Sequence, residues 1–269
     1  MDPVKLIAID LDDTLLRDDI SISSYTKDVL ARAAAKGVRI VIATGRMFCA
    51  ARPWGMALGL GDVPMVVYTG SMVARCESGE VLSYDPMDLG TAREILGAAR
   101  DHGWYIQAYV HDRLLVPIYD ERTAVYEKVC GVKAEVLGDD LWTIEEPPLK
   151  LLIYENDPAV MAEAERILIP RFESRAGHVK SRPNFFEWNR KDASKGNALQ
   201  KLCAEWQIPM DQVMTFGNSE NDISMLRLTP WSFAVENAED VVKKAAVHVT
   251  ASNNDDGVAK AVAKYVLGE

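Results

Sequence analysis

Cysteine is scarce in this chain. Cys49, Cys76, Cys130 and Cys203 are scattered, with no CxxC pair and no accompanying histidine cluster. That pattern excludes a zinc site or a disulfide framework as the organising feature, and a reducing, cytoplasmic compartment is expected. Positive charge is also short: 30 Lys and Arg face 40 Asp and Glu, for a net charge of −10 and a pI of about 5.0. Nucleic acid is excluded as the main partner, because its backbone needs a basic face. A small anion is not, since a cleft can locally oppose the global sign. No apolar run approaches the ~18 residues of a membrane span, and the N-terminus lacks a signal peptide's charged and apolar regions, so no membrane partner is expected. Repeats and low-complexity tracts are absent too. The remainder, 269 residues of which 48% are hydrophobic and 26% charged, fits one large or two moderate globular domains.

The most informative stretch is Lys5-Leu6-Ile7-Ala8-Ile9-Asp10-Leu11-Asp12-Asp13-Thr14. Its short apolar run without a helical stripe reads as a buried strand. A parallel strand covered on both faces is nearly all apolar, so Asp10 and Asp12 belong at its carboxyl end, where open α/β sheets bind ligands. Two residues apart, both side chains can face one side of an extended segment. Carboxylates that close repel unless a cation or a shared proton intervenes. The plainer reading is a strand-to-turn junction, with Asp13 and Thr14 as turn formers.

The rest of the chain favours a site. A helical pattern after Ser23-Ser24 stops at Gly37, and Val38–Ala43 is a second apolar strand ending in Thr44-Gly45-Arg46. Strand, helix and strand make a βαβ unit of a parallel sheet. Pro64–Tyr68 is a third strand, followed by Thr69-Gly70 and a hairpin around Ser78-Gly79. From residue 86 the texture changes to alternating, aromatic-rich strands (104–110, 114–118, 149–154, 178–182) with helices at 88–102, 120–129 and 158–172. This predicts an antiparallel sheet with one wet face, in an inserted α+β domain over 86–185. Residues 1–85 and 186–269 then form an α/β, doubly wound, parallel-sheet core. In its last part a helix opens at Ser194-Lys195-Gly196. Gln212–Phe216 is a strand that stops at Gly217-Asn218-Ser219-Glu220-Asn221-Asp222. Strands ending in acids, a Thr-Gly turn and an amide-acid cluster, beside a lysine at a helix start, suit Mg²⁺ plus a phosphate. Such a set can neutralise a transferring phosphoryl group, with one carboxylate as nucleophile and a second as acid and base.

With these motifs in order, the sequence resembles the haloacid dehalogenase superfamily of phosphohydrolases, in its Cof-type, sugar-phosphate-phosphatase-like branch. The motifs are Asp10-Leu11-Asp12-Asp13-Thr14-Leu15, Thr44-Gly45-Arg46, Ser194-Lys195-Gly196 and Gly217–Asp222, with a domain-sized insert between the second and third. Glu236-Asn237-Ala238 and Asn254–Ala259 also look like that branch. The resemblance implies a Rossmann-like core with an inserted cap, and a Mg²⁺-dependent phosphatase of small phosphorylated metabolites that forms an aspartyl-phosphate. It makes Asp10 the nucleophile and Asp12 the general acid and base. Thr44, Gly45, Arg46 and Lys195 become the substrate-binding residues, with Thr44 and Lys195 also catalytic through the phosphoryl group, and Asp10, Asp12, Asn218 and Asp222 the metal ligands.

Three positions depart from the family pattern. Asp13 and Asn218 stand where glycine and aspartate are usual, and Thr69 stands where asparagine precedes the glycine. A phosphomutase, or a silent phosphometabolite-binding protein, are the competing readings. Retention of Asp10, Asp12, Thr44 and Lys195 argues against the silent one. The oligomeric state and the substrate are not readable. The insert's basic and aromatic residues His111, Arg113, Tyr119, Lys150, Arg175, His178, Lys180 and Arg182 are substrate-contact candidates, as are Arg46 and Arg52.

Overall fold

The strands of the chain run in order as β1 (Leu6–Ile9), β2 (Arg39–Ala43), β3 (Pro64–Val67), β4 (Met72–Arg75), β5 (Val81–Tyr84), β6 (Ile106–Val110), β7 (Arg113–Val116), β8 (Ala134–Val136), β9 (Lys150–Tyr154), β10 (Ala176–Arg182), β11 (Phe185–Arg190), β12 (Val213–Gly217), β13 (Trp231–Ala234) and β14 (His248–Val249). The helices are α1 (Ser24–Ala35), α2 (Phe48–Ala57), α3 (Leu89–His102), α4 (Glu121–Cys130), α5 (Pro158–Phe172), α6 (Lys195–Glu205), α7 (Ile223–Leu226), α8 (Asp240–Ala245) and α9 (Gly257–Val262). These come from a computed structural model that describes residues 3–269, the side chain of Ser181 excepted; residues 1 and 2 of the expected core segment lie outside it. The chain divides into two units. The first comprises the chain up to Gly45, Ala51–Ser83 and Ser194–Glu269; the second comprises Arg46–Ala50 and Tyr84–Ala193.

The first unit is built on an eight-stranded sheet in the order β14-β13-β12-β1-β2-β3-β4-β5. From β14 through β3 every pairing is parallel, and β4 turns back antiparallel to β3. β1 lies in the middle and all four of its residues are buried, as its unbroken apolar run requires. Leu6, Ala8, Val41, Ala43, Val66 and Val213 pack with Leu199 and Leu202 of α6 in one apolar cluster. Each fully buried Leu or Val of this kind contributes roughly 1.5–3 kcal/mol. The register is what builds the site: Ile9 stands opposite Phe216 on one side and Ile42 on the other. Asp10, Gly217 and Ala43 therefore leave the sheet at one level.

The second unit carries a six-stranded sheet in the order β10-β11-β9-β6-β7-β8. All of its pairings are antiparallel except β7 with β8, a departure from the all-antiparallel expectation. One face packs on α3 and α5 through Ile95, Leu96, Leu168, Phe172, Ile106, Ile153, Phe186 and Trp188. The opposite face holds buried polar groups rather than a wet surface. Tyr109 donates from its hydroxyl to Gln107 Oε1 at 2.7 Å, and Lys150 pairs with Glu187 at 3.3 Å. The expected boundary at residue 185 cuts through the sheet, since β11 pairs with both β9 and β10. The unit runs on to Ala193, because Phe186 and Trp188 are anchored in its apolar cluster.

Candidate active site

The chain leaves β1 through a turn that fixes both leading acids. Asp10 is extended (φ −66°, ψ 155°), its N–H donates to the Phe216 carbonyl at 3.0 Å, and its carbonyl accepts from Leu15 N–H at 3.2 Å. Asp12 is also extended, and Asp13 then enters the left-handed region at φ 54°. That backbone explains a position where glycine is usual; aspartate is among the few other residues that tolerate it. The far part of the chain braces this turn. Asn237 Nδ2 donates to the Asp13 carbonyl at 2.7 Å, Asn253 Nδ2 to the Leu16 carbonyl at 3.0 Å, and Arg17 pairs with Asp256 at 2.9 Å.

Lys195 is the first residue of α6, which Ser194 caps by accepting from Asn197 N–H. Its side chain is fully buried, and its ammonium donates to Asp10 Oδ1 at 2.6 Å and to Asp222 Oδ1 at 2.7 Å. Asp222 uses its other oxygen to accept from the backbone N–H groups of Asn218 and Ser219, both at 3.0 Å. The carboxylate thus folds back over the end of β12, and only glycine fits there. A Cβ on Gly217 would come within 2.4 Å of Asp222 Cβ. Asn218 is held from the β1 side, where Thr14 Oγ1 donates to its Oδ1 at 3.0 Å. Glu220 is exposed.

Thr44 follows β2 and is buried; its N–H donates to the Val66 carbonyl, and its own carbonyl accepts from Thr69 N–H at 3.1 Å. Thr69 and Tyr68 both have positive φ, 56° and 51°, and Gly70 follows at 102°. Gly70 is pressed against the cap of α6: a Cβ there would stand 2.2 Å from the Ser194 carbonyl oxygen. The turn after β3 thereby touches both the Thr44 loop and the Lys195 helix. Arg46 is half-buried and belongs with the second unit. Arg52, another candidate, donates to the Cys76 and Glu77 carbonyls at 2.8 and 2.6 Å.

The electrostatics are unbalanced. Burial, reinforced by the Asp222 carboxylate, pushes the Asp10 carboxyl from 3.8 up to about 7, although Lys195 opposes it. Burial pulls the Lys195 ammonium down, but Asp10 and Asp222 outweigh it and hold the lysine charged, above its ordinary value. One ammonium among Asp10, Asp12 and Asp222 leaves net negative charge in a buried place, which a hard cation on oxygen donors would offset. Among the described residues no three His, Cys, Asp or Glu side chains are grouped to hold a metal. Asn218, directly after β12, offers a neutral amide oxygen beside these acids. Asp222, expected as a ligand, has both oxygens committed to Lys195 and to the Asn218 and Ser219 amides.

Asp10, Lys195, Asn218 and Asp222 are joined by these bonds, with Asp12 on the same turn and Thr44 at the end of the neighbouring strand. Sequence reasoning misses the bracing roles of Asn237 and Asn253 and the strained turn at Thr69. The only signal for Asn237 is its likeness to a downstream family motif; Asn253 stands just before another such motif and outside it. Several second-unit candidates are paired within that unit: Arg175 with Glu94, Lys180 with Glu165, Arg113 with Glu135, and His111 with Glu146.

The sequence profile of the haloacid dehalogenase-like hydrolases matches residues 7–262, and the chain belongs to that family. Among its relatives is the pyridoxal phosphate phosphatase YbhA of Escherichia coli, 27% identical over 98% of this chain and 99% of that protein. The 5-amino-6-(5-phospho-D-ribitylamino)uracil phosphatase YcsE of Bacillus subtilis is 30% identical over 98% of this chain and 96% of that protein. The crystal structure of TM0651 from Thermotoga maritima superposes with a TM-score of 0.87 at 27% identity, covering 97% of each chain.

Proposed function

We propose that this hydrolase is a Mg²⁺-dependent phosphatase of small phosphorylated metabolites that works through an aspartyl-phosphate on Asp10. The observation that carries the reading is the buried Lys195 ammonium bridging Asp10 and Asp222 at the carboxyl ends of β1 and β12. A buried lysine held charged beside a carboxylate gives a phosphoryl group a fixed positive partner, which is the main requirement of phosphoryl transfer. The phosphatases among the relatives support the same substrate class.

In the first step a carboxylate oxygen of Asp10 attacks phosphorus and the bond to the leaving oxygen breaks. Asp12 gives that oxygen a proton, then takes one from the water that attacks the acyl phosphate, releasing phosphate and restoring Asp10. Lys195 and Thr44 hold phosphoryl oxygens throughout. Asp10, the Asp12 main-chain carbonyl and Asn218 would hold Mg²⁺, with Asp222 fixing the loop that carries Asn218. Bound there, the cation supplies charge neutralisation for the phosphoryl group. The second unit acts as the cap that excludes water and selects the leaving group. Among the described residues no helix is long and apolar enough to cross a membrane, and a cytoplasmic enzyme on soluble metabolites accords with that.

The test is phosphate release from an aryl phosphate and from a panel of phosphorylated metabolites, with Mg²⁺ and with chelator. Borohydride trapping should convert Asp10 to homoserine during turnover. Activity that is indifferent to chelator, or hydrolysis without a trapped residue, overturns the metal or the covalent step respectively.

A further inference from the structure

We propose that the Thr69 hydroxyl is an additional phosphoryl-oxygen donor of this site, presented beside Gly45 by a left-handed turn. The inference rests on the phosphatase reading above. Thr69 is 6% exposed, and its Oγ1 is buried without a hydrogen-bond partner. A buried hydroxyl that bonds to nothing is costly and rare in a folded protein. Its location is specific. A Cβ built on Gly45 would stand 3.3 Å from Thr69 Oγ1 and 3.6 Å from Asn221 Nδ2. The hydroxyl and the Asn221 amide therefore flank the same glycine, directly after Thr44. Asn221 Oδ1 is a second buried polar atom without a partner. Two orphaned polar side chains around a residue with no side chain of its own make a small polar recess at the Thr44-Gly45 turn.

The backbone gives an independent reason to assign a role. Threonine is β-branched, and at φ 56° it is an outlier that a structural turn does not call for. Asparagine or glycine would sit there with less strain, and neither would bury an unpartnered hydroxyl. Strain of this sort is retained where the surroundings over-determine it, and it clusters at binding and catalytic sites. The turn is over-determined here. Thr69 N–H is bonded to the Thr44 carbonyl, and Gly70 abuts Ser194 at the head of the Lys195 helix. The turn is thus fixed against both the residue and the helix that hold the phosphoryl group. A hydroxyl donates one hydrogen bond, and phosphoryl oxygen is the acceptor this enzyme brings to that turn.

The variants are Thr69→Val, which keeps the shape and removes the hydroxyl, and Thr69→Ser, which keeps the hydroxyl. Inorganic phosphate is titrated as a competitive inhibitor of aryl-phosphate hydrolysis, and melting is followed separately. Thr69→Val is expected to raise the inhibition constant of phosphate about ten- to a hundredfold, the range for a hydrogen bond to a charged group. It should do so without lowering the melting temperature, and Thr69→Ser should restore binding. If Thr69→Val does not fold, Thr69→Ala carries the same comparison with less branching at the strained position. A folded Thr69→Val or Thr69→Ala with unchanged phosphate inhibition overturns the assignment while the phosphatase reading stands. Wild-type protein that neither hydrolyses the aryl phosphate nor binds inorganic phosphate overturns both.

Discussion

Lys195 and Asp10 lie 185 positions apart in the sequence and 2.6 Å apart in the fold. Nothing local brings them together; the β1–β12 register and the start of α6 do. The lysine is also the partner of Asp222, so a single side chain keeps two buried carboxylates compatible with folding.

Replacing Lys195 with Met keeps much of the volume and removes the charge. Asp10 and Asp222 are then buried without their cation, and breaking such an arrangement costs about 3–5 kcal/mol. The midpoint of urea unfolding should fall accordingly, and phosphate release should drop to background. An unshifted midpoint would mean that the Lys195 charge is not what makes burial of these two carboxyl groups tolerable.

Asp10→Asn should abolish turnover, and in metal-free protein it should also change how stability depends on pH. The Asp10 carboxyl is raised from 3.8 to about 7, so the folded state binds its proton more tightly than the unfolded state. Its contribution favours folding below about pH 4 and is lost as pH rises through about 7. With chelator present, wild type should therefore lose ground to Asp10→Asn between pH 5 and pH 8, by roughly a few kcal/mol. Parallel urea curves for the two proteins at both pH values would remove burial as the cause.

Asn218→Asp should lower the Mg²⁺ concentration that gives half-maximal activity, because a carboxylate replaces a neutral oxygen on a hard cation. Turnover should slow, since the added charge opposes the incoming phosphate dianion. Thr14, which donates to the Asn218 oxygen, would keep the new carboxylate oriented. Superimposable Mg²⁺ titrations would take residue 218 out of the metal site.

Exchanging Tyr84–Ala193 for a short linker should leave a soluble protein, because the apolar cluster of the second unit is made of its own residues. The remaining unit should hydrolyse aryl phosphate weakly and lose discrimination among metabolites. Unchanged selectivity would locate specificity in the first unit.

Legibility in the sequence follows the physics of each element. Leu6–Ile9 and Arg39–Ala43 are covered on both faces, so their apolar runs announce them. The helix Phe48–Ala57 is hidden, because Phe48-Cys49-Ala50-Ala51-Arg52-Pro53-Trp54 shows no polar face and has a proline inside. The expected boundary at residue 185 leaves 186–190 outside the second unit, and nothing in the sequence marks the polar residues Glu187 and Asn189 as buried. In the fold both are buried on the polar face of the sheet. Among the site residues, Asp10 and Asp12 stand out by position alone. The bond from Lys195 to Asp10 depends on tertiary register, and in the sequence only family likeness points to it. Thr69 is visible as a departure, and its meaning needs backbone angles that no residue pattern carries.

The pairing of Leu6 with Val213 also has a consequence for the growing chain. β1 pairs with β2 soon after in the chain, yet its other neighbour in the sheet, β12, is synthesised some two hundred residues later. At about 5–20 residues per second the ribosome takes on the order of ten seconds or more to deliver it. Throughout that interval an apolar strand has one unpaired edge, while the contiguous Tyr84–Ala193 segment can fold around its own apolar cluster. Such edges invite pairing with other chains. Expression at lower temperature or with a holdase chaperone should therefore raise the soluble yield more than stabilising the finished protein does.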